Sequence, residues 1–104
     1  MKNTIKIKIE RNGETAEIKV LIKHPMETGR RKDRQSNKLI PAHFIREVKC
    51  EHNNNLVLDA IWGVAISRNP YLSFTVDNTK KGDVVGISWK DNLGDSDAKT
   101  VTIS

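Results

Sequence analysis

The residues of this chain that could take part in acid–base, nucleophilic or metal chemistry are three histidines, one cysteine and scattered carboxylates. His24, His43 and His52 stand at no spacing that is typical of metal ligands. No two carboxylates stand out as a general acid and its base. The sequence therefore predicts no catalytic residue, no metal site and no cofactor.

Cys50 is the only cysteine, so an internal disulfide is impossible. It stands in phase with Phe44 and Val48 in an alternating segment, and this spacing predicts a buried thiol that packs like a small apolar side chain. A nucleophilic cysteine would need exposure and a nearby base or cation. A disulfide to another chain remains open.

The densest positive charge follows the segment "LIKH", where a strand pattern ends at His24-Pro25. The connection 24–42 holds five basic residues against two acidic ones, and so carries +3 of the net charge of +5. Connections longer than about 12 to 15 residues are uncommon in compact domains and are often functional. Apolar residues interrupt the charges, as on protein-binding surfaces: Pro25, Met26, Leu39, Ile40 and Pro41. The alternative is a solvated loop that only maintains solubility.

A second unusual stretch is "AISRNPYLSF" (65–74). Asn69-Pro70 predicts a turn, because the residue before proline avoids the helical region. Tyr71 then begins a strand with its ring on the face opposite to Leu72 and Phe74. The tyrosine could bond to the backbone at a corner of the fold or contact a partner.

Alternating apolar and polar residues predict seven strands. They lie in "TIKIKIE", "TAEIKVLIK", "HFIREVKCE", "NLVLDAIW", "YLSFTV", "DVVGISWK" and "KTVTIS". Asn12-Gly13 and the polar "EHNNN" predict hairpin turns. No segment has a helical period. We therefore expect one domain over residues 1–104, an all-β, immunoglobulin-like antiparallel β-sandwich of about seven strands.

Composition limits the partners. The chain has 104 residues, 37% of them hydrophobic and 30% charged, which is typical of a soluble globular domain. No apolar run approaches the roughly 20 residues that span a membrane, and no signal peptide is visible. Only five residues are aromatic and no docking helix is predicted, so we expect neither a membrane nor a nucleic-acid partner.

Four segments together resemble the SoxZ family. They are "HPMETGRRKD" (24–33), "IPAHFI" (40–45), "NPYLSF" (69–74) and "WKDNLG" (89–94), and the resemblance extends over nearly the whole chain. SoxZ is the small subunit of the SoxYZ carrier of bacterial thiosulfate oxidation. The resemblance implies an immunoglobulin-like fold and a heterodimer with a SoxY-type subunit. That partner holds thiosulfate-derived sulfur intermediates on a cysteine in a C-terminal "GGCGG" tail.

The resemblance also implies a non-catalytic chain, since this sequence ends in "KTVTIS" and has no such tail. It implies transient contact with other Sox enzymes, and periplasmic export together with the partner because no signal peptide is present. We expect the partner-binding residues to be His24, Met26, Glu27, Arg30, Arg31, Lys32, Asn69 and Tyr71. Arginine there could contact another protein or the carried anion. The alternatives are a generic immunoglobulin-like adaptor and, from charge alone, a nucleic-acid binder.

Overall fold

The computed structural model describes residues 3–104 and contains seven β-strands. Their bounds are β1 (Ile5–Asn12), β2 (Thr15–Ile22), β3 (Ile45–His52), β4 (Asn55–Ile61), β5 (Tyr71–Val76), β6 (Val84–Asp91) and β7 (Ser96–Thr102). Within the described residues, no helix is long and apolar enough to cross a membrane.

The strands form two antiparallel sheets. One sheet has the order β1-β2-β5 and the other the order β4-β3-β6-β7. At the β1 and β7 edges the sheets are joined by hydrogen bonds, because the backbone N–H and the hydroxyl of Thr4 both donate to Oδ2 of Asp97. The predicted all-β antiparallel sandwich of seven strands is confirmed.

The core lies between the sheets and follows the alternation of the sequence. On β2 the side chains of Ile18, Val20 and Ile22 are fully buried, and on β6 those of Val85 and Ile87 are. Alternate residues of a strand point to opposite faces, so one apolar face on each strand is enough to build this interior. The three central strands β2, β3 and β6 therefore supply most of the buried apolar side chains.

The hairpin turns use residues that tolerate left-handed backbone. At the β3–β4 turn, Asn53 and Asn54 both have positive φ, 50° and 68°, as the asparagine run predicted. At the β1–β2 turn, the predicted pair is wrong by one residue. Asn12 is the last residue of β1 and pairs with Thr15, and the turn is made by Gly13 (φ 66°) and Glu14.

A β-bulge near the start of β3 changes which residue enters the core. The pairing of β3 with β6 shifts register between Ile45 and Glu47. A bulge adds one residue to a strand and reverses the alternation locally. Ile45 is consequently buried, while Phe44, which the sequence put in phase with Val48, is only half-buried.

The long connection after β2 is ordered as an irregular antiparallel ribbon, which we call the basic ribbon (residues 27–43). Glu27 and His43 exchange both backbone hydrogen bonds, with N–O distances of 2.6 and 3.0 Å. Further along, the N–H of Ile40 donates to the carbonyl of Arg31. These bonds bring His43, at the end of the ribbon, back to the point where the ribbon began.

Candidate functional site

The strand β6 ends in a buried carboxylate, Asp91, whose side chain is inaccessible to solvent. One oxygen, Oδ1, accepts the backbone N–H groups of Leu93 and Asp95 at 3.0 and 2.8 Å. The other, Oδ2, lies 3.2 Å from Nε2 of His24 and 2.7 Å from Nε2 of His43. Four hydrogen bonds thus replace the water that the carboxylate loses on burial.

His24 follows β2 and is buried beside this carboxylate. The backbone N–H of Met26 donates to its Nδ1 at 3.1 Å, so Nδ1 holds the lone pair and Nε2 carries the hydrogen. The ring is therefore the neutral tautomer that donates to Asp91. It also packs edge-on against Trp89, with the ring centroids 5.1 Å apart.

His43 reaches Asp91 from the end of the basic ribbon. Asn92, the residue after Asp91, fixes this segment: its Oδ1 accepts the N–H of Phe44, and its Nδ2 donates to the carbonyl of Ala42. Since an ionised carboxylate can only accept, Nε2 of His43 donates to Asp91. The rings of His24 and His43 lie edge to face, 4.6 Å apart.

The hydrogen bonds decide the charge of Asp91. Burial is the largest single influence and would raise the pKa of the carboxyl group. The hydrogen bonds from His24, His43 and the N–H of Leu93 act in the opposite direction, and together they lower the pKa below its ordinary value of 3.8. Asp91 is therefore an anion inside the protein.

The three donor atoms of His24, His43 and Asp91 lie within 4.8 Å of one another, close enough to consider a metal ion. A metal on Nε2 of His24 would move the ring hydrogen to Nδ1. That hydrogen would then point at the N–H of Met26, which already donates to this nitrogen. The arrangement fits a hydrogen-bonded cluster, which we call the His–Asp–His cluster, and does not fit a metal centre.

Met26 has a strained backbone at this point, with a positive φ of 48°. For a residue with a Cβ atom, this conformation costs about 1–2 kcal/mol. Two contacts hold it: the N–H bonded to His24, and the thioether Sδ, which accepts the N–H of Ile45 at 3.3 Å. Strain retained beside buried polar groups is a feature of functional sites.

A shallow depression of about 360 Å³ opens next to the cluster. It is lined by Lys23, His24, Pro25, Glu27, Arg31, Arg68 and Asn69. Three cations thus face one carboxylate. Arg31 is paired with that carboxylate on Glu27, and this hydrogen bond is the main reason that the pKa of Glu27 is lowered. The depression favours an anion or a polar, negatively charged surface.

The predicted partner-binding residues have different positions. Tyr71 and the side chains of Arg30, Arg31 and Lys32 are exposed, whereas His24 and Met26 are buried, so these two can only shape the surface around them. Asn69 joins the β4–β5 connection to the end of β2, because its Oδ1 accepts the N–H of His24. Their part in binding stays a prediction.

Sequence reasoning missed Asp91 and the role of His43. The structure brings two of the three histidines together. The third, His52, lies at the opposite end of β3, where its Nε2 is 2.8 Å from Oδ2 of Asp83. The only local signal was an acidic residue at the end of an alternating strand, directly before the turn-forming "NLG".

Cys50 lies in the core and is fully buried, as its phase with Val48 predicted. Loss of contact with water is the main cause that raises the pKa of its thiol to about 11, with a smaller effect from Glu51. The thiol is therefore protonated and inaccessible.

The sandwich is less well covered on the side of β4 and β5, a surface that we call the β4–β5 edge. Inward-facing residues of these strands, including Leu58 and Phe74, are only partly buried. Ile61 is 87% exposed on β4, where Leu56 and Val57 are exposed as well, and Val64 is exposed in the β4–β5 connection. Both strands are also terminal in their sheets. A terminal strand that carries several exposed apolar side chains is typical of a surface that another chain covers.

The sequence profile of the family described as "Sulphur oxidation protein SoxZ" matches residues 5–102. The chain belongs to the SoxZ family. The four segments that suggested this family lie within the match, and three of them contribute residues to the His–Asp–His cluster: "HPMETGRRKD", "IPAHFI" and "WKDNLG". The SoxZ family is one of sulfur oxidation, so sulfur oxidation is the process in which this chain takes part.

The comparison with solved structures adds the fold and no more. No curated protein matches the chain at a significant level. A solved structure of superoxide reductase in its oxidised state matches with a TM-score of 0.66 and 20% identity, over 97% of this chain and 87% of that chain. At this identity, the likeness shows a shared sandwich architecture.

Proposed function

We propose that this chain is the non-catalytic subunit of a two-chain sulfur carrier. Its partner is a SoxY-type subunit, which holds thiosulfate-derived intermediates on a C-terminal cysteine and presents them to other Sox enzymes. The chain works in the periplasm and is exported together with this partner. Membership of the SoxZ family is the observation that carries the proposal.

The β4–β5 edge supports the need for a partner. Its exposed apolar side chains and two terminal strands leave part of the core open on one side. Apolar area that a second chain removes from water contributes about 25 cal/mol per Å². A partner that adds a strand to β4 or to β5 would cover this surface.

The state of Cys50 supports placing the carried group on the partner. A carrier thiol must leave the surface to reach successive enzymes, and it reacts as a thiolate. Cys50 is buried between the sheets, and its thiol has a pKa raised to about 11. This chain therefore acts as a scaffold and a recognition surface.

The first test is native mass spectrometry of the complex isolated from its source, before and after thiosulfate is supplied. We expect a one-to-one heterodimer whose partner chain gains thiosulfate-derived mass on its C-terminal cysteine. Adducts on Cys50, or a chain of 11.8 kDa that stays alone, would overturn the proposal.

The interface is tested by charge placed on the β4–β5 edge. We expect Ile61→Lys to weaken the heterodimer by at least about 100-fold, because a buried unpaired charge costs several kcal/mol. Leu93→Lys is the matched control, since Leu93 is 62% exposed on the β6–β7 turn and β6 is two strands away from β4 in the sheet. Equal affinities for the two variants would place the interface elsewhere.

An immunoglobulin-like adaptor for some other protein is the second candidate, because an exposed apolar edge would suit any β-rich partner. The two candidates differ in the chain that is captured. Isolation of a stable complex with a protein that has no glycine-flanked C-terminal cysteine would favour the adaptor.

A further inference from the structure

The imidazole of His43 is held on one side and open on the other. Nε2 donates to the buried carboxylate of Asp91 at 2.7 Å, and the side chain is 29% exposed. Within residues 3–104, Nδ1 of His43 has no hydrogen-bond partner, and this part of the chain has no buried side-chain nitrogen or oxygen that lacks one. Nδ1 therefore reaches solvent, with its lone pair directed outward.

A carboxylate that accepts the hydrogen of one imidazole nitrogen fixes the tautomer and the orientation of the ring, so the other nitrogen presents its lone pair in a fixed direction. Asp91 suits this role. Its oxygens receive hydrogen bonds from two backbone N–H groups and from His24, so its position is fixed before any proton arrives. His24 is neutral and adds no positive charge.

The surface around His43 carries charge suited to a thiol. Glu27 pairs with His43 through the backbone, so their side chains stand on the same face of the ribbon. Glu27 lines the depression together with Lys23, Arg31 and Arg68, whose cations favour a thiolate over a thiol. The groups nearest to His43 are thus Asp91 and His24 from the interior and Glu27 across the ribbon, and Arg31 is bonded to Glu27.

We propose that His43 is the proton acceptor for a thiol that the partner subunit presents at the basic ribbon. The S–H bond breaks, the proton moves to Nδ1 of His43, and the electron pair stays on sulfur as a thiolate. The imidazolium keeps its Nε2–H on Asp91. The reverse transfer returns the proton when the sulfur leaves. This inference rests on the proposed carrier function and adds to it the residue that prepares the thiol for reaction.

The test uses the heterodimer, with iodoacetamide as the probe of the partner's C-terminal cysteine. The rate of alkylation is followed by mass spectrometry between about pH 5.5 and about pH 9.5, because only the thiolate reacts. In the His43→Gln complex, we expect the pH profile to move upward and the rate near neutral pH to fall about tenfold. Glutamine can still donate to Asp91 but cannot take the proton.

His52→Gln is the matched control, because His52 is also a partly exposed histidine paired with a carboxylate, at the opposite end of β3. We expect its profile to equal that of the unaltered complex. A His43→Gln profile that is also unchanged would overturn the inference and leave the carrier function intact. A rate that falls equally at every pH would show positioning only, and would overturn it too.

The tautomers provide a second readout, independent of the partner. In long-range ¹H–¹⁵N spectra of the isolated chain near pH 8, we expect Nδ1 of His43 to be the unprotonated nitrogen and Nε2 the protonated one. A proton on Nδ1 would overturn the inference. If no complex with a thiol-bearing partner forms at all, the carrier function fails and the inference fails with it.

Discussion

His43 Nε2 lies 2.7 Å from Asp91 Oδ2, although the two residues are 48 positions apart in the chain. His24 reaches the same oxygen from a position 67 residues before Asp91. The ends of β2, the basic ribbon and β6 thus meet at one carboxylate. The bonds that close the fold at this point also orient His43, the residue that we propose as a proton acceptor.

Asp91→Asn should strongly destabilise the chain. The new amide N–H₂ must face either the two imidazole N–H groups or the two backbone N–H groups, and buried donors without an acceptor cost about 1–3 kcal/mol each. We expect the free energy of unfolding in urea to fall by about 3 kcal/mol. Asp59→Asn, at an exposed carboxylate on β4, should change it by less than about 0.5 kcal/mol. Similar losses in both variants would contradict this account.

Acid should weaken the fold partly through Asp83. A hydrogen bond from His52, followed by bonds from Asn53 and the N–H of Lys80, lowers the pKa of Asp83 to about 2 from an ordinary 3.8. A carboxyl group whose pKa is lower in the folded chain than in the unfolded chain stabilises the fold fully at pH values above its unfolded pKa. This stabilisation is lost as the pH falls through the folded pKa. We therefore expect the stability difference between the unaltered chain and Asp83→Asn to shrink between about pH 4 and about pH 2.

Urea unfolding at several pH values in that window measures this difference, and a ¹³C titration of the Asp83 carboxyl group should show its midpoint near pH 2. The lowered pKa of Asp91 gives both proteins some loss of stability in acid, in the same direction. A difference that stays constant across the window would exclude the role assigned to Asp83.

Met26 offers a test of backbone strain. At most positions a protein with glycine is less stable than the same protein with alanine. At a positive φ, the Cβ atom of alanine clashes with the backbone, and glycine has no Cβ atom. Because φ of Met26 is 48°, we expect Met26→Gly to be more stable than Met26→Ala by about 1 kcal/mol, although both lose the packing of the thioether. At Val48, a buried position in mid-strand, the order should be reversed.

Cys50 should be unreactive while the chain is folded. Its thiol is fully buried, and its pKa is raised to about 11. We expect a disulfide reagent such as DTNB to react with it at neutral pH only at the rate of unfolding, and at once in guanidinium chloride. Rapid reaction of the folded chain would contradict the burial of this side chain.

The exposed arginines of the basic ribbon should matter for association and little for folding. Exposed ion pairs such as Arg31 with Glu27 contribute at most about 1 kcal/mol. We expect Arg30→Ala/Arg31→Ala to keep its stability within about 1 kcal/mol and to slow association with the partner or a Sox enzyme about fivefold at low salt. Lys6→Ala/Lys8→Ala, on exposed positions of β1, is the control. Equal association rates would make the ribbon a solubility feature.

Most of the fold could be predicted from the sequence because strand alternation is a local property. The isoleucines and valines of β2 are buried as their period of two requires. The burial of Ile45 could not be predicted, since the bulge before Glu47 arises from pairing with β6, which is distant in the chain. The order of the basic ribbon could not be predicted either, because its backbone hydrogen bonds follow no hydrophobic period.

The candidate site was harder to predict than the fold. His24 and His43 come together only because the ends of β2 and β6 and the start of β3 lie at the same end of the sandwich. Spacing along the chain contains no trace of that convergence. Three of the four segments that resemble the family do contain the residues of the His–Asp–His cluster. In "WKDNLG", Trp89 packs edge-on against His24, the carboxylate of Asp91 accepts hydrogen bonds from both histidines, and the turn that follows bonds to the same carboxylate.

The Sδ atom of Met26 and the Sγ atom of Cys50 both lie inside the sandwich, the first occupied by the N–H of Ile45 and the second among apolar side chains. Between residues 3 and 104, no other side chain contains sulfur. This stretch of the chain therefore offers no sulfur for exchange with persulfides or for attack by oxidants. In the carrier complex that we propose, the reactive sulfur is therefore supplied by the partner subunit alone.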